Sequence, residues 1–130
     1  MILLDTDICI ELLRGNSNVI EKRLNNSDDI AISFMTIAEL FYGAENSTKK
    51  NKNISLINDF LLTVNIIHTD VQILRKFGEI KSQLFKENQL LPDADILIAA
   101  AALEKCTKLI TGNIKHFKRI EELKIENWSV

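Results

Sequence analysis

Several oxygen-bearing side chains occupy comparable places in this chain, just after a short apolar run or early in the segment that follows one. Asp5 follows Ile2-Leu3-Leu4. Glu39 comes half a dozen residues after Ile30-Ala31-Ile32-Ser33. Asp93 and Asp95 open the run Ile96 to Leu103, and Asn113 follows Leu109-Ile110-Thr111. If these runs are strands of a parallel sheet or lead out of one, their C-termini share an edge, and ligands bind in the crevice outside it. Acids spread along the chain would then converge. Carboxylates at one point repel each other unless a cation lies between them, and hard oxygen ligands with room for water suit Mg²⁺ or Mn²⁺. The chemistry this arrangement predicts is metal-assisted hydrolysis of a phosphate ester.

The elements that must position these groups alternate between short apolar strands and longer helices, which is an α/β pattern. Strands are expected at residues 2–5, 30–33, 66–68, 109–111 and 125–130. Helices are expected at about 8–13, 18–24, 36–42, 54–64, 70–86, 93–105 and 115–123. Gly15 and Gly43 read as helix stops. In the helix that Asp70 would cap, Val71, Leu74, Phe77, Ile80 and Leu84 recur at spacings of three and four, an amphipathic stripe. The alanine-rich segment after Asp95 is apolar nearly all round and should be buried. Residues 45–53 read as a loop or frayed helix. Four or five strands with helical crossovers make a parallel sheet between two helical layers.

Length and composition set the bounds. At 130 residues the chain reads as a single domain, residues 1–130, large enough to bury a core without disulfides. A content of 46% hydrophobic and 26% charged residues is ordinary for a globular chain. Cys9 and Cys106 lack metal-type spacing and read as packing residues of a cytoplasmic protein. No leader-like basic region precedes the first apolar run, and the longest such run is far short of a membrane span, so no membrane partner is expected. A net charge of −2 does not announce a nucleic-acid binder, although lysines cluster at 49–52 and at 115–118.

Each acid also has a plain structural explanation. Asp5 and Thr6 fit an N-cap pair, and Asp7 a first-turn helix acid. Thr36-Ile37-Ala38-Glu39 has the form of a capping box. Asp93 and Asp95 after Pro92 suit a helix start, and Gly112-Asn113 suits a turn. The functional reading rests on the conjunction of Asp5, Glu39, Asp95 and Asn113 at the same predicted edge.

That conjunction resembles the PIN-domain ribonucleases, in particular the VapC-type toxins of bacterial toxin–antitoxin pairs. Leu4-Asp5-Thr6-Asp7-Ile8 looks like the family's Leu-Asp-Thr-Asn opening. Ser33-x-x-Thr36-x-x-Glu39-Leu40-x-x-Gly43 is similar to its second motif, and Asp95-x-x-Ile98-Ala99-Ala100 to its third. Thr111-x-Asn113-x-x-x-Phe117 resembles the fourth, and Glu126-Asn127-Trp128 fits the close of many members. The resemblance spans almost the whole chain and implies a PIN-like three-layer sandwich. It further implies a metal-dependent endoribonuclease using Mg²⁺ or Mn²⁺, with Asp5, Glu39 and Asp95 as the acid core. A homodimer is implied too, inhibited by a VapB-type antitoxin whose tail enters the active-site groove. Two positions depart from the pattern. Asp7 replaces the common asparagine, and His116 stands where many members carry an acid, so the last motif has no carboxylate.

On this reading Asp5 and Asp95 hold the cation, and Glu39 holds or deprotonates the attacking water. Thr6, Asp7, Asp93 and Asn113 support them. Arg14, Lys115 and Lys118 are candidate contacts to the phosphates of a single-stranded or looped RNA, transfer RNA among the possible targets. The apolar faces of 54–64 and 70–86 exceed what one small core needs, which fits a two-fold interface. Two other readings stand beside it. Asp5-Thr6-Asp7 looks like the opening of the haloacid-dehalogenase phosphatases, although Cys9 takes the place of their usual Thr or Val. A binding module without catalysis would account for the absent fourth acid.

Overall fold

A computed structural model describes residues 1–130. Five parallel strands form one sheet in the order β3-β2-β1-β4-β5, where β1 is Ile2–Leu4, β2 Ile30–Ser33, β3 Asn65–Ile67, β4 Leu109–Ile110 and β5 Ile125–Glu126. The chain builds outward from β1 to β3, then returns to the other side of β1 to lay down β4 and β5. The order in which strands are added therefore reverses between β1 and β4, the place where open parallel sheets leave a crevice beyond their carboxyl ends.

Seven helices cover the two faces: α1 (Thr6–Leu13), α2 (Ser17–Asn25), α3 (Phe34–Glu45), α4 (Lys50–Leu61), α5 (Val71–Lys86), α6 (Asp93–Lys105) and α7 (Ile114–Phe117). The strand period of two divides the core. Leu3, Ala31 and Leu109 point to the face packed by α5, α6 and Phe117. Ile2, Leu4, Ile32 and Ile110 point to the face packed by α1 to α4 and Trp128. Both faces of β1 are covered, so its residues are apolar without alternation. In α6 every residue from Ile98 to Ala102 is buried, as its uniform apolarity requires.

Three expectations need correction. The capping box does not form: Ser33 is the N-cap of α3 and its hydroxyl accepts from Thr36 N–H at 3.2 Å, which places Glu39 inside the helix. Gly43 does not stop α3, which runs on to Glu45. It lies inside the helix, where tertiary packing of Leu40 and Ala44 outweighs the weak helix propensity of one glycine. The helix expected at 115–123 is the single turn α7, followed by tight turns to β5. The polar segment 45–53 is partly helical, since α4 already begins at Lys50.

Candidate active site

Asp5 begins the site because it ends β1. The strand stops at Leu4, Asp5 takes an extended conformation, and its Oδ1 accepts from Thr6 N–H at 2.8 Å to cap α1. Its Oδ2 accepts from the Thr111 hydroxyl at 2.7 Å, so the residues after β1 and β4 are tied across the switch point. The structural explanation for Asp5 is therefore true, and it leaves the carboxylate facing the crevice edge. Only 5% of Asp5 is exposed.

From Asp5 a hydrogen-bonded chain runs both ways. On one side the Thr6 hydroxyl donates to Glu39 Oε1 at 2.7 Å and lies 3.0 Å from the Thr36 hydroxyl. Thr6 has a single hydroxyl proton and a carboxylate can only accept, so Thr36 donates to Thr6. On the other side Thr111 Oγ1 accepts from Asn113 N–H at 3.0 Å. The Asn113 side chain lies 2.8 Å from His116 Nδ1, which lies 3.1 Å from Asp95 Oδ2. Glu39, Asp5 and Asp95, brought in by α3, β1 and α6, thus belong to one connected network.

Asp7 is the fourth acid of the crevice. Its Oδ2 accepts from Gly112 N–H at 2.9 Å, while its Oδ1 is buried with no hydrogen-bond partner. A Cβ on Gly112 would stand 2.8 Å from that Oδ2 and 3.3 Å from Ser129 Oγ, which explains a residue without a side chain at this point. Burial raises the Asp5 carboxyl from its ordinary value of 3.8 to about 7, with the negative charge of Asp7 as the next cause. Burial also raises Asp7, although the Gly112 N–H pulls it back.

These features test whether a divalent cation suits the residues. No three His, Cys, Asp or Glu side chains converge tightly enough to form a cage. Mg²⁺ does not ask for one: it keeps several waters and takes one or two carboxylates from the protein. Asp5, strained as an anion by burial and by Asp7 and Asp95, and the orphaned Asp7 oxygen are groups that a nearby positive charge would relieve. The donor set therefore fits a hard divalent ion.

The other predicted residues divide. Asp93 does not join the site: it points outward and pairs with Lys81 at 2.9 Å, because at two residues' spacing on a helix it cannot share the face of Asp95. Lys115 and Lys118 are exposed on and just after α7. Arg14 is exposed too, 3.8 Å from Glu11, and with Glu39 it borders a groove lined by Ile10, Leu13, Leu40 and Leu56. Thr36, Thr111 and His116 were not assigned a role from sequence. The signal available for Thr111 was a hydroxyl directly after an apolar strand pair, in register with Asp5.

The PIN domain family model matches residues 2–123. The chain belongs to the PIN-domain family. Within that family its relatives are VapC ribonucleases. It is 37% identical over 127 residues to ribonuclease VapC2 of Haemophilus influenzae, covering 97% of this chain and 96% of that protein. It is 30% identical to the tRNA(fMet)-specific endonuclease VapC of Shigella flexneri, over 98% of this chain and 97% of that one. Among solved structures, VapBC2 of Rickettsia felis bound to a DNA fragment from its promoter superposes with a TM-score of 0.90. Identity there is 35%, with 98% of this chain and 99% of that chain covered. VapBC-1 of nontypeable Haemophilus influenzae also gives 0.90, at 33% identity over the full length of both chains. The five-stranded parallel sheet flanked by helices is the PIN-like α/β fold expected from sequence.

Proposed function

We propose that this PIN-family protein is the toxin of a toxin–antitoxin pair and cleaves phosphodiester bonds in single-stranded or looped RNA with a divalent cation. The observation that carries the reading is the single hydrogen-bonded network joining Asp5, Glu39 and Asp95 at the switch point of the sheet. Its relatives are named ribonucleases, one of them a tRNA(fMet)-specific endonuclease, which supports RNA as the substrate and transfer RNA as the first target to try.

Asp5 and Asp95 would hold Mg²⁺ or Mn²⁺. When bound, the ion supplies positive charge against the phosphoryl oxygens and acidifies a water ligand. Glu39 accepts the Thr6 proton on Oε1, and its Oε2 makes no protein hydrogen bond and is free to take a proton from the attacking water. Thr6 and Thr111 orient the carboxylates by donating to them. Arg14, Lys115 and Lys118 are exposed cations that can meet the RNA backbone. Purified protein freed of antitoxin should cut total cellular RNA only with Mg²⁺ or Mn²⁺, and Asp95→Ala should leave the RNA whole while melting as a folded protein. Equal cutting by Asp95→Ala would sink the assignment.

Two kinds of partner belong to the same proposal. Solved relatives are VapBC complexes, which supports a VapB-type antitoxin for this chain. The apolar groove of about 280 Å³ beside Glu39 is a fitting seat for its tail. On α5, Val71, Leu74 and Phe85 stay 81%, 51% and 70% exposed, and on and beside α4 so do Leu56 and Leu62, at 41% and 87%. Apolar area left open on α5 and at α4 supports a homodimer, and multi-angle light scattering should return twice the 14.8 kDa chain mass; a monomer at micromolar concentration counts against it. No helix is long and apolar enough to cross a membrane. A cytoplasmic place, where RNA and the antitoxin meet the toxin, agrees with two unpaired cysteines.

A further inference from the structure

One imidazole nitrogen faces two side chains at the head of α6. His116 Nδ1 lies 3.1 Å from Asp95 Oδ2 and 2.8 Å from the side-chain amide of Asn113. A ring nitrogen either carries a proton or offers a lone pair. As a lone pair, Nδ1 would oppose the lone pairs of a carboxylate within hydrogen-bond distance and leave that oxygen unserved. As an N–H, it serves Asp95, and Asn113 must then turn its amide oxygen, rather than its NH₂, toward the same proton. The two ends of an amide have the same shape, so either orientation fits the space and the network decides between them.

With Nδ1 protonated, every link closes. Thr111 donates to Asp5, the Asn113 backbone N–H donates to Thr111, and His116 donates to both Asn113 Oδ1 and Asp95. A hydrogen-bonded bridge then joins the two carboxylates. The ring is held there by α7: buried Phe117 anchors the turn, and His116 N–H donates to the Asn113 carbonyl at 3.2 Å. At 35% side-chain exposure the ring itself is not filling the core.

We propose that His116 is a positioning residue. With a proton on Nδ1, it acts with Asn113 to hold Asp95 at the offset from Asp5 that a divalent ion needs. This rests on the nuclease reading of the acid cluster. It assigns the histidine an atom-specific task, because Asn can place an NH₂ where Nδ1 stands, whereas Gln reaches the position of Nε2.

The test is Mn²⁺ titration calorimetry and RNA cleavage kinetics on His116→Ala, His116→Gln, His116→Asn and Asp95→Ala, with nitrogen-resolved NMR of the imidazole in the unsubstituted protein. Expected are a ten- to hundredfold weaker Mn²⁺ affinity in His116→Ala and His116→Gln, about what loss of a ligand's supporting hydrogen bond costs. Their kcat should fall while KM for RNA moves little, and His116→Asn should recover most of both losses. The NMR should show a proton on Nδ1. Unchanged Mn²⁺ affinity in His116→Ala, when Asp95→Ala has lost it, overturns the inference and spares the acid site. Rescue by Gln rather than Asn, or a ring protonated on Nε2 alone, also overturns it. Parent-like Mn²⁺ binding by Asp95→Ala removes the acid site and the inference together. The NMR result needs no substitution, so it stands even if a variant misfolds.

Discussion

Asp5→Asn should lose RNA cleavage by about a thousandfold or more and, in chelator at pH 8, should melt higher than the parent. The first effect follows from charge. Removing an anionic partner of the ion forfeits several kcal/mol of transition-state stabilisation, and each 1.4 kcal/mol is about tenfold in rate. The second follows from burial. The folded protein holds Asp5 almost out of water beside Asp7, which is why its carboxyl is raised to about 7. Asn keeps an oxygen for the Thr6 N–H, and the Thr111 hydroxyl can rotate to accept from the new NH₂, so the cap and the tie to β4 survive. What disappears is the buried charge, and the gain is on the order of 2–4 kcal/mol at pH 8. Below about pH 4, where Asp5 is protonated in the unfolded chain as well as the folded one, the two proteins should melt nearly alike. Cleavage assays beside thermal melts at both pH values check all of this. A variant that loses activity and stability together would place Asp5 among the purely structural caps.

Such a trade between stability and function marks where the sequence was readable and where it was not. The strands at 2–4, 30–33 and 109–110 were legible because burial on both faces makes them apolar throughout, and α5 because its stripe repeats every three to four residues. Asp5, Glu39 and Asp95 were legible only together. Each has a local duty that explains it alone, and for Asp5 that duty is real. The capping box failed because the Ser33 hydroxyl, three residues upstream of Thr36, satisfies the free N–H first, and local pattern cannot rank two hydroxyls competing for one helix end. Asp93 was drawn into the site by its nearness in sequence to Asp95, whereas on a helix that spacing turns it to Lys81 and solvent. Thr111 and His116 could not be found from spacing, since their partners lie 106 and 21 residues away and only the return of the chain to β4 brings them near.

The parent protein in chelator should lose stability as the pH rises from about 4 to about 7, and Mg²⁺ or Mn²⁺ should restore it at pH 8 but hardly at pH 5. Asp5 titrates near its ordinary 3.8 when unfolded and at about 7 when folded, so between those values the folded state binds more protons. Stability falls with pH wherever that holds, and the whole contribution is at most about 4 kcal/mol. Asp7, also raised by burial, acts in the same direction. Asp70 and Glu126 are lowered by hydrogen bonds from Lys105 and Lys108 and act in the opposite sense, but their windows end at the ordinary values of 3.8 and 4.5, so they touch only the acid end of this one. A cation that binds only the folded protein adds RT ln(1 + [L]/Kd), about 2.7 kcal/mol at a hundred times Kd. Protons compete for the same oxygens, so that gain shrinks at pH 5. Melting curves at the two pH values, with chelator and with each ion, separate the contributions, and Ca²⁺ at equal concentration controls for general screening of the acids. Flat stability across this range with no response to Mn²⁺ would mean that the carboxylates are held apart by the fold alone. A response that needs both high pH and the ion would mean that the crevice is built around a charge the polypeptide itself does not carry.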